Sequence, residues 1–330
     1  MPPSYLYLSD RDWDQRIEEA MALASRCELC PRRCGVNRLS GERGFCGAPE
    51  GLVVSSAFAH HGEEPPISGD KGSGTIFFSY CTLQCCFCQN YQISHKAEGR
   101  AMTPAELAGK CLELQEQGCH NINLVTPSHF LPWILTALKE AAARGLSIPI
   151  VNNNGGYELP GPLSLLRDIV DIYLPDMKFG GSEEATAFSK APDYVDVNQT
   201  AVKAMFRQVG PLKTDAAGIA RRGLCIRHLV LPSGLARSTA VLEFILRSFD
   251  PQDITVSLMA QYRPLFKAAM FPEIARVPAA GDYEPVKRAF EEAGIGGYYQ
   301  ELTALDGRFC IDFTKRKSEP LKGDEAPPAI

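Results

Sequence analysis

The chain has 330 residues, 45% of them hydrophobic and 22% charged, which is enough apolar content to bury a sizeable core and excludes disorder over most of its length. A formal charge of -5 and a pI near 5.8 leave no basic field of the kind that generic nucleic-acid binding requires. Met1-Pro2-Pro3-Ser4 runs into Ser9-Asp10-Arg11-Asp12 with no basic and apolar leader, and no segment reaches the ~18 apolar residues of a membrane span, so a cytoplasmic protein with neither nucleic acid nor membrane as partner is expected.

In chain order, apolar residues at Trp13, Ile17, Met21 and Leu23-Ala24 predict an amphipathic helix over 11–25. Turn formers follow, carrying Cys27, Cys30, Cys34 and Cys46. The glycine cluster Gly69-Asp70-Lys71-Gly72-Ser73-Gly74 lacks the Gly-Lys-Ser/Thr ending of a phosphate loop and reads as a turn. Ile76-Phe77-Phe78-Ser79-Tyr80 is a strand ending at Cys81. Thr103-Pro104-Ala105-Glu106 is a capping box with proline at the first helical position, and Gly118 stops that helix.

Further strands are expected at 122–125, 148–151, 169–174, 224–231 and 254–258, alternating with helices near 132–144, 238–249 and 282–292. Six strand-helix units predict an α/β fold with parallel strands, either a barrel or an open doubly wound sheet, and both carry their chemistry at strand C-termini. The expected domains are a cysteine-rich extension over 1–74, the α/β unit over 75–314 and a flexible tail over 315–330.

Twelve cysteines in a chain without an export signal point to metal rather than disulfides. Eight lie in two groups, Cys27, Cys30, Cys34, Cys46 and then Cys81, Cys85, Cys86, Cys88; the scattered Cys111, Cys119, Cys225 and Cys310 read as small core residues. Within Cys81-Thr82-Leu83-Gln84-Cys85-Cys86-Phe87-Cys88, a Cys-x3-Cys-x2-Cys spacing supplies three soft ligands where a [4Fe-4S] cube needs four, leaving one iron open. Cys85 and Cys86 compete for the middle position. A zinc knuckle or an electron-transfer cluster without catalysis is the alternative reading of the group.

The spacing, with an aromatic residue before the last cysteine, resembles the signature of the radical S-adenosylmethionine (SAM) superfamily. The resemblance implies a partial (β/α)6 TIM-like barrel, a cluster held by Cys81, Cys85 and Cys88, and SAM chelated to the open iron and cleaved to a 5'-deoxyadenosyl radical that abstracts hydrogen from a substrate. It selects Cys85 over Cys86, sets the Phe87 backbone against the adenine, and implies an electron donor such as flavodoxin or ferredoxin. Cys27-Glu28-Leu29-Cys30-Pro31-Arg32-Arg33-Cys34, Glu64 to Gly69, Gly72 to Ser79 and Cys88-Gln89-Asn90 together resemble proteins labelled pyruvate formate-lyase activating enzyme-like, over nearly the whole chain. That label implies an oxidoreductase-type activase acting on a protein or peptide; a methyl or methylthio transferase is the runner-up.

Residues after each strand are then candidates for the SAM site. Strand two ends in Thr126-Pro127-Ser128-His129, where the family's Gly-Gly-Glu motif is absent; Thr126 and His129 are candidates to replace it, and Ser128 is a candidate ligand or helix cap. Strand three ends in Asn152-Asn153-Asn154-Gly155-Gly156-Tyr157-Glu158, offering Asn154 as a hydrogen-bonding group and glycines for close approach to a ligand. The resemblance gives Asp176 to the SAM ribose and Lys178 to its carboxylate. Arg227, His228 and Arg263 are candidate carboxylate or substrate contacts. The arginine-flanked Cys27, Cys30, Cys34 and Cys46 are expected to hold zinc or an auxiliary iron-sulfur cluster.

Overall fold

The computed structural model describes residues 2–302 and 311–316. Ten strands form one sheet system: β1 Leu52–His60, β2 Ser73–Phe78, β3 Arg100–Met102, β4 Ile122–Val125, β5 Ile150–Asn154, β6 Ile172–Pro175, β7 Lys213–Thr214, β8 Ala220–Leu229, β9 Thr255–Met259 and β10 Gly296–Tyr299. The order is β10-β9-β8-β6-β5-β4-β2-β1-β3, with β7 paired to β8. From β2 to β10 this path is parallel throughout, and its strands follow one another in chain order. That is the course of a barrel wall, but the sheet stays open rather than closing on itself.

Expectation and structure agree on the six strand-helix units and differ at the edges. A seventh parallel strand, β10, follows the helix Ala280–Glu292. Its Gly-Gly-Tyr-Tyr sequence hides it because Gly297 serves backbone contact: a Cβ there would lie 1.9 Å from the Val256 carbonyl oxygen. The other edge bears on the domain boundary expected at 74. β1 pairs antiparallel with β2 from Val54 opposite Phe78 to His60 opposite Ser73, so the division falls inside a hydrogen-bonded sheet. The amphipathic helix, Asp10–Ser25, is capped by Ser9 and Asp12 and buries Trp13, Ala20 and Ala24 in the main core. Of the expected tail, Lys315 and Arg316 close the short helix Phe313–Arg316; the rest, and Cys310, lie outside the described residues.

The helix Pro104–Glu116 starts with the expected capping box, Thr103 Oγ1 accepting from the Glu106 N–H at 3.2 Å. β2, β4, β5 and β6 are buried along their whole length, the signature of a parallel sheet covered on both faces. The main core lies between strands and helices, and a second apolar cluster gathers Leu83, Phe87, Tyr157, Phe179, Phe188, Tyr194 and Tyr262 around the second cysteine group. Among the described residues no helix is long and apolar enough to cross a membrane.

A sulfur-lined cavity at the strand ends

β2 stops at Phe78, and Tyr80 takes a φ of 69° before Cys81, a left-handed turn that redirects the chain over the end of the sheet. The resulting loop opens on a cavity of about 220 Å3. Its wall includes Cys81, Cys85, Phe87 and Cys88 from this loop, Thr126 after β4, Asn153 to Gly155 at the end of β5, Asp176 and Lys178 after β6, and Arg227, Met259 and Gln261 beyond. The cavity therefore lies at the C-terminal ends of the parallel strands.

Three of the four neighbouring cysteines face this space and Cys86 does not. The difference is fixed by backbone hydrogen bonds on either side of Cys86: its N–H donates to the Phe188 carbonyl at 2.7 Å, and its carbonyl accepts from the Lys267 N–H at 2.8 Å. Each cavity-facing sulfur has a hydrogen-bonding neighbour. The Leu83 N–H donates to Cys81 Sγ at 3.4 Å, Ser189 Oγ donates to Cys85 Sγ at 3.0 Å, and Ser94 Oγ lies 3.1 Å from Cys88 Sγ. Burial raises all three thiols, Cys88 to about 11, so their thiolate form calls for a cationic centre to offset the desolvation. Among the described residues no three His, Cys, Asp or Glu side chains converge on a single metal-ion position. An iron-sulfur cube makes a different demand, since each thiolate binds its own iron, and the donor set of three cavity-facing sulfurs fits it.

Asp176 and Lys178, just after β6, form an ion pair with each other on the cavity wall. Burial opposes the Lys178 charge, but the Asp176 carboxylate outweighs it and holds the ammonium above its ordinary value. Tyr194 Oη anchors this turn, 2.9 Å from the Lys178 N and 3.0 Å from the Asp176 carbonyl oxygen. Phe87 lines the cavity and packs edge-on against Phe179 and Tyr262. Thr126 lines it with a φ of 58°, its N–H bonded to the Asn153 carbonyl at 2.8 Å; positive φ in a β-branched residue is an outlier that marks the turn as constrained.

Other candidates have different work. His129 is 1% exposed, bonded to the Ser79 carbonyl oxygen at 2.8 Å and packed on Phe130; it is not among the cavity-lining residues. Burial lowers it to about 4, so it is a neutral core histidine rather than a replacement for the missing glutamate. His228 is likewise buried, tied to Met177 and Ser238 and lowered to about 4 by burial. Asn154 lines the cavity, but its Oδ1 accepts the Gly156 N–H at 2.8 Å and its Nδ2 donates to Asn152. Of the two glycines, Gly155 lines the cavity, whereas Gly156 meets its own chain: a Cβ there would lie 2.0 Å from the Asp176 carbonyl oxygen. Arg263 is not on the cavity wall.

The structure adds two groups. At the end of the cavity lined by His60 and Phe77, Arg227 binds Glu64 through Nε at 2.7 Å and Nη2 at 2.9 Å, and also pairs with Glu63. Burial would raise Glu64, but the guanidinium holds it below the carboxylate range. Glu158 also lines the cavity, where its carboxyl accepts from Ser128 Oγ and burial raises it to about 8. Ser128 thus orients an acid instead of capping a helix.

The first cysteine group sits beside the second. Cys27 and Cys30 are buried, and burial raises the Cys30 and Cys46 thiols. Among the described residues no three His, Cys, Asp or Glu side chains converge on one ion position here either, and Cys34 Sγ accepts the Phe45 N–H at 3.2 Å. Arg32 links the groups. It donates from Nε to the Thr82 carbonyl at 3.0 Å and from Nη2 to the Ser189 carbonyl at 3.4 Å, with its guanidinium 3.8 Å from the Phe45 ring centroid.

No protein-family model matches the chain. The uncharacterized protein MJ0674 of Methanocaldococcus jannaschii is 32% identical over 295 residues, which is 87% of this chain and 80% of that protein. Among solved structures the chain is similar to HydG, a maturase of the [FeFe]-hydrogenase, at 12% identity and a TM-score of 0.47 over 89% of this chain and 58% of that one. Methylornithine synthase (PylB) follows at 14% identity and a TM-score of 0.43 over 89% and 72%. Streptococcus suis SuiB is 12% identical with a TM-score of 0.43 over 68% and 47%, so the chain spans less than two thirds of HydG and of SuiB.

Proposed function

This chain belongs to the family of the uncharacterized protein MJ0674 of Methanocaldococcus jannaschii, and within that family we propose that it is a radical SAM enzyme whose [4Fe-4S] cluster is held by Cys81, Cys85 and Cys88. The observation that carries the proposal is the sorting of the cysteine run, in which the three members at the signature spacing face one cavity and Cys86 is turned out of it. A reduced cluster with one iron free of protein ligands supplies an electron and a chelating position for the reductive cleavage of SAM.

The chain's own residues divide the remaining work. Hydrogen bonds from the Leu83 N–H and Ser189 Oγ stabilise negative charge on Cys81 and Cys85. Lys178, held charged by Asp176, offers an ammonium to a carboxylate. Phe87, Leu229, Met259 and Tyr262 line the cavity with apolar surface that excludes water. The end formed by His60, Glu63, Asn153 and Arg227 is assigned to the substrate, from which hydrogen is abstracted.

The test is electron paramagnetic resonance of the anaerobically reconstituted, dithionite-reduced protein with and without SAM. The expected result is a four-iron signal whose g-values shift when SAM is added, because SAM reaches the open iron. A four-iron signal indifferent to SAM would contradict the proposal.

A further inference from the structure

Next to the cysteine loop stands a surface feature that the cavity does not use. The short helix Tyr91–Ser94 follows Cys88 almost directly, and the loop after β9 folds back over it. Tyr91 and Phe266 stack with ring centroids 5.2 Å apart and planes at 12°, and His95 lies 4.6 Å from Phe266. A lysine flanks each side of the stack: Lys96 Nζ is 4.9 Å from the Tyr91 centroid, and Lys267 Nζ is 5.1 Å from the Phe266 centroid. Both lysines are exposed, and among the described residues neither is engaged in an ion pair. Phe266 has a φ of 55°, a left-handed conformation costly for an aromatic residue. Four residues on, Met270 is 73% exposed.

This ledge is wired to the cysteines. The Lys267 N–H donates to the Cys86 carbonyl at 2.8 Å, and Ser94, in the same short helix as Tyr91, has its Oγ 3.1 Å from Cys88 Sγ. We infer that the ledge formed by Tyr91, His95, Lys96, Phe266 and Lys267 is the docking surface for an acidic one-electron carrier protein, and that electrons enter from it through the loop that carries the cysteines. The inference rests on the reading of Cys81, Cys85 and Cys88 as cluster ligands. In the step, one electron leaves the reduced carrier, which is oxidised, and the cluster is reduced; no bond forms or breaks and no proton moves.

Charge favours this partner. The whole chain carries -5, so an acidic protein is repelled over most of the surface and attracted at the ledge, which steers encounter toward one face. Lys190 adds to the positive field at His95, while Glu273 is an acidic group within electrostatic reach of Cys86. Two unpaired lysines on an acidic molecule are too few for the many phosphate contacts of a nucleic-acid strand.

The test uses flavodoxin as the acidic carrier and the full chain with Lys96→Glu and Lys267→Glu combined. At low salt, reduction of the reconstituted cluster by reduced flavodoxin is expected to slow by about tenfold or more, while reduction by dithionite, which needs no docking surface, keeps its wild-type rate. Binding of oxidised flavodoxin to the unreconstituted chain is expected to weaken in parallel. Equal flavodoxin rates in variant and wild type would overturn the inference, as would an equal loss with dithionite or displacement of flavodoxin by oligo(dT) at comparable affinity. Because the binding measurement needs no cluster, a wild-type chain that binds flavodoxin through these lysines but assembles no cluster would contradict the proposed function and still support the docking surface.

Discussion

Replacing Cys85 with serine is expected to abolish assembly of the four-iron cluster, and replacing Cys86 with alanine is expected to leave it intact. The two residues are adjacent and both are buried, so burial does not separate them. Orientation does: Cys85 Sγ lies in the cavity with Cys81 and Cys88, under the Ser189 hydroxyl, whereas Cys86 is held outward by its bonds to Phe188 and Lys267. Loss of a thiolate ligand is at least as damaging as loss of a supporting hydrogen bond, so a fall of ~10–100-fold or more in bound cluster is expected for Cys85→Ser. Cys86→Ala removes one sulfur from a packed site and costs about 1 kcal/mol. Iron and sulfide per chain after anaerobic reconstitution decide the matter; a Cys86→Ala protein without cluster beside a Cys85→Ser protein with one would reverse the ligand assignment.

Arg227→Met is expected to destabilise the protein by about 3–5 kcal/mol, the cost of breaking a buried ion pair from one side. Glu63 and Glu64 are 7% and 5% exposed at their side chains and Arg227 14%, so solvent screens little of the loss. The substitution leaves two carboxylates in a buried space without their guanidinium. Adding Glu64→Gln to Arg227→Met is expected to recover part of the stability, because one of the stranded charges is removed. Urea unfolding of the cluster-free chain measures both; an Arg227→Met protein within about 1 kcal/mol of wild type would show that the triad is not the ionised network described here.

Much of this was legible in the sequence, for physical reasons that differ by residue. The Cys81 run could be read because ligand spacing is local, and the capping box at Thr103 because its two partners are three residues apart. The parallel strands other than β10 announced themselves as apolar runs between helices. β1 did not, because Leu52–His60, next to the edge strand β3, mixes buried and half-buried residues. The Glu63–Glu64–Arg227 triad was invisible for a different reason: its partners are 163 and 164 residues apart, and only the sheet brings them together. Arg227 was singled out as a carboxylate binder, and the carboxylates proved to be the chain's own. His129 follows the strand in the right place to face the cavity, yet its imidazole is bonded to the Ser79 carbonyl oxygen and packed against Phe130. Glu158 gave no local signal at all, since what marks it is burial beside Ser128, thirty residues away.

The cysteine run on which the account depends is tested most directly by what the assembled protein does to SAM. Wild-type chain, reconstituted anaerobically and shown by iron and sulfide analysis to carry its cluster, is mixed with SAM and dithionite, and the products are separated by liquid chromatography. The account predicts 5'-deoxyadenosine and methionine in equal amounts, and none from the Cys85→Ser protein. SAM left intact by a fully assembled and reduced cluster would contradict it.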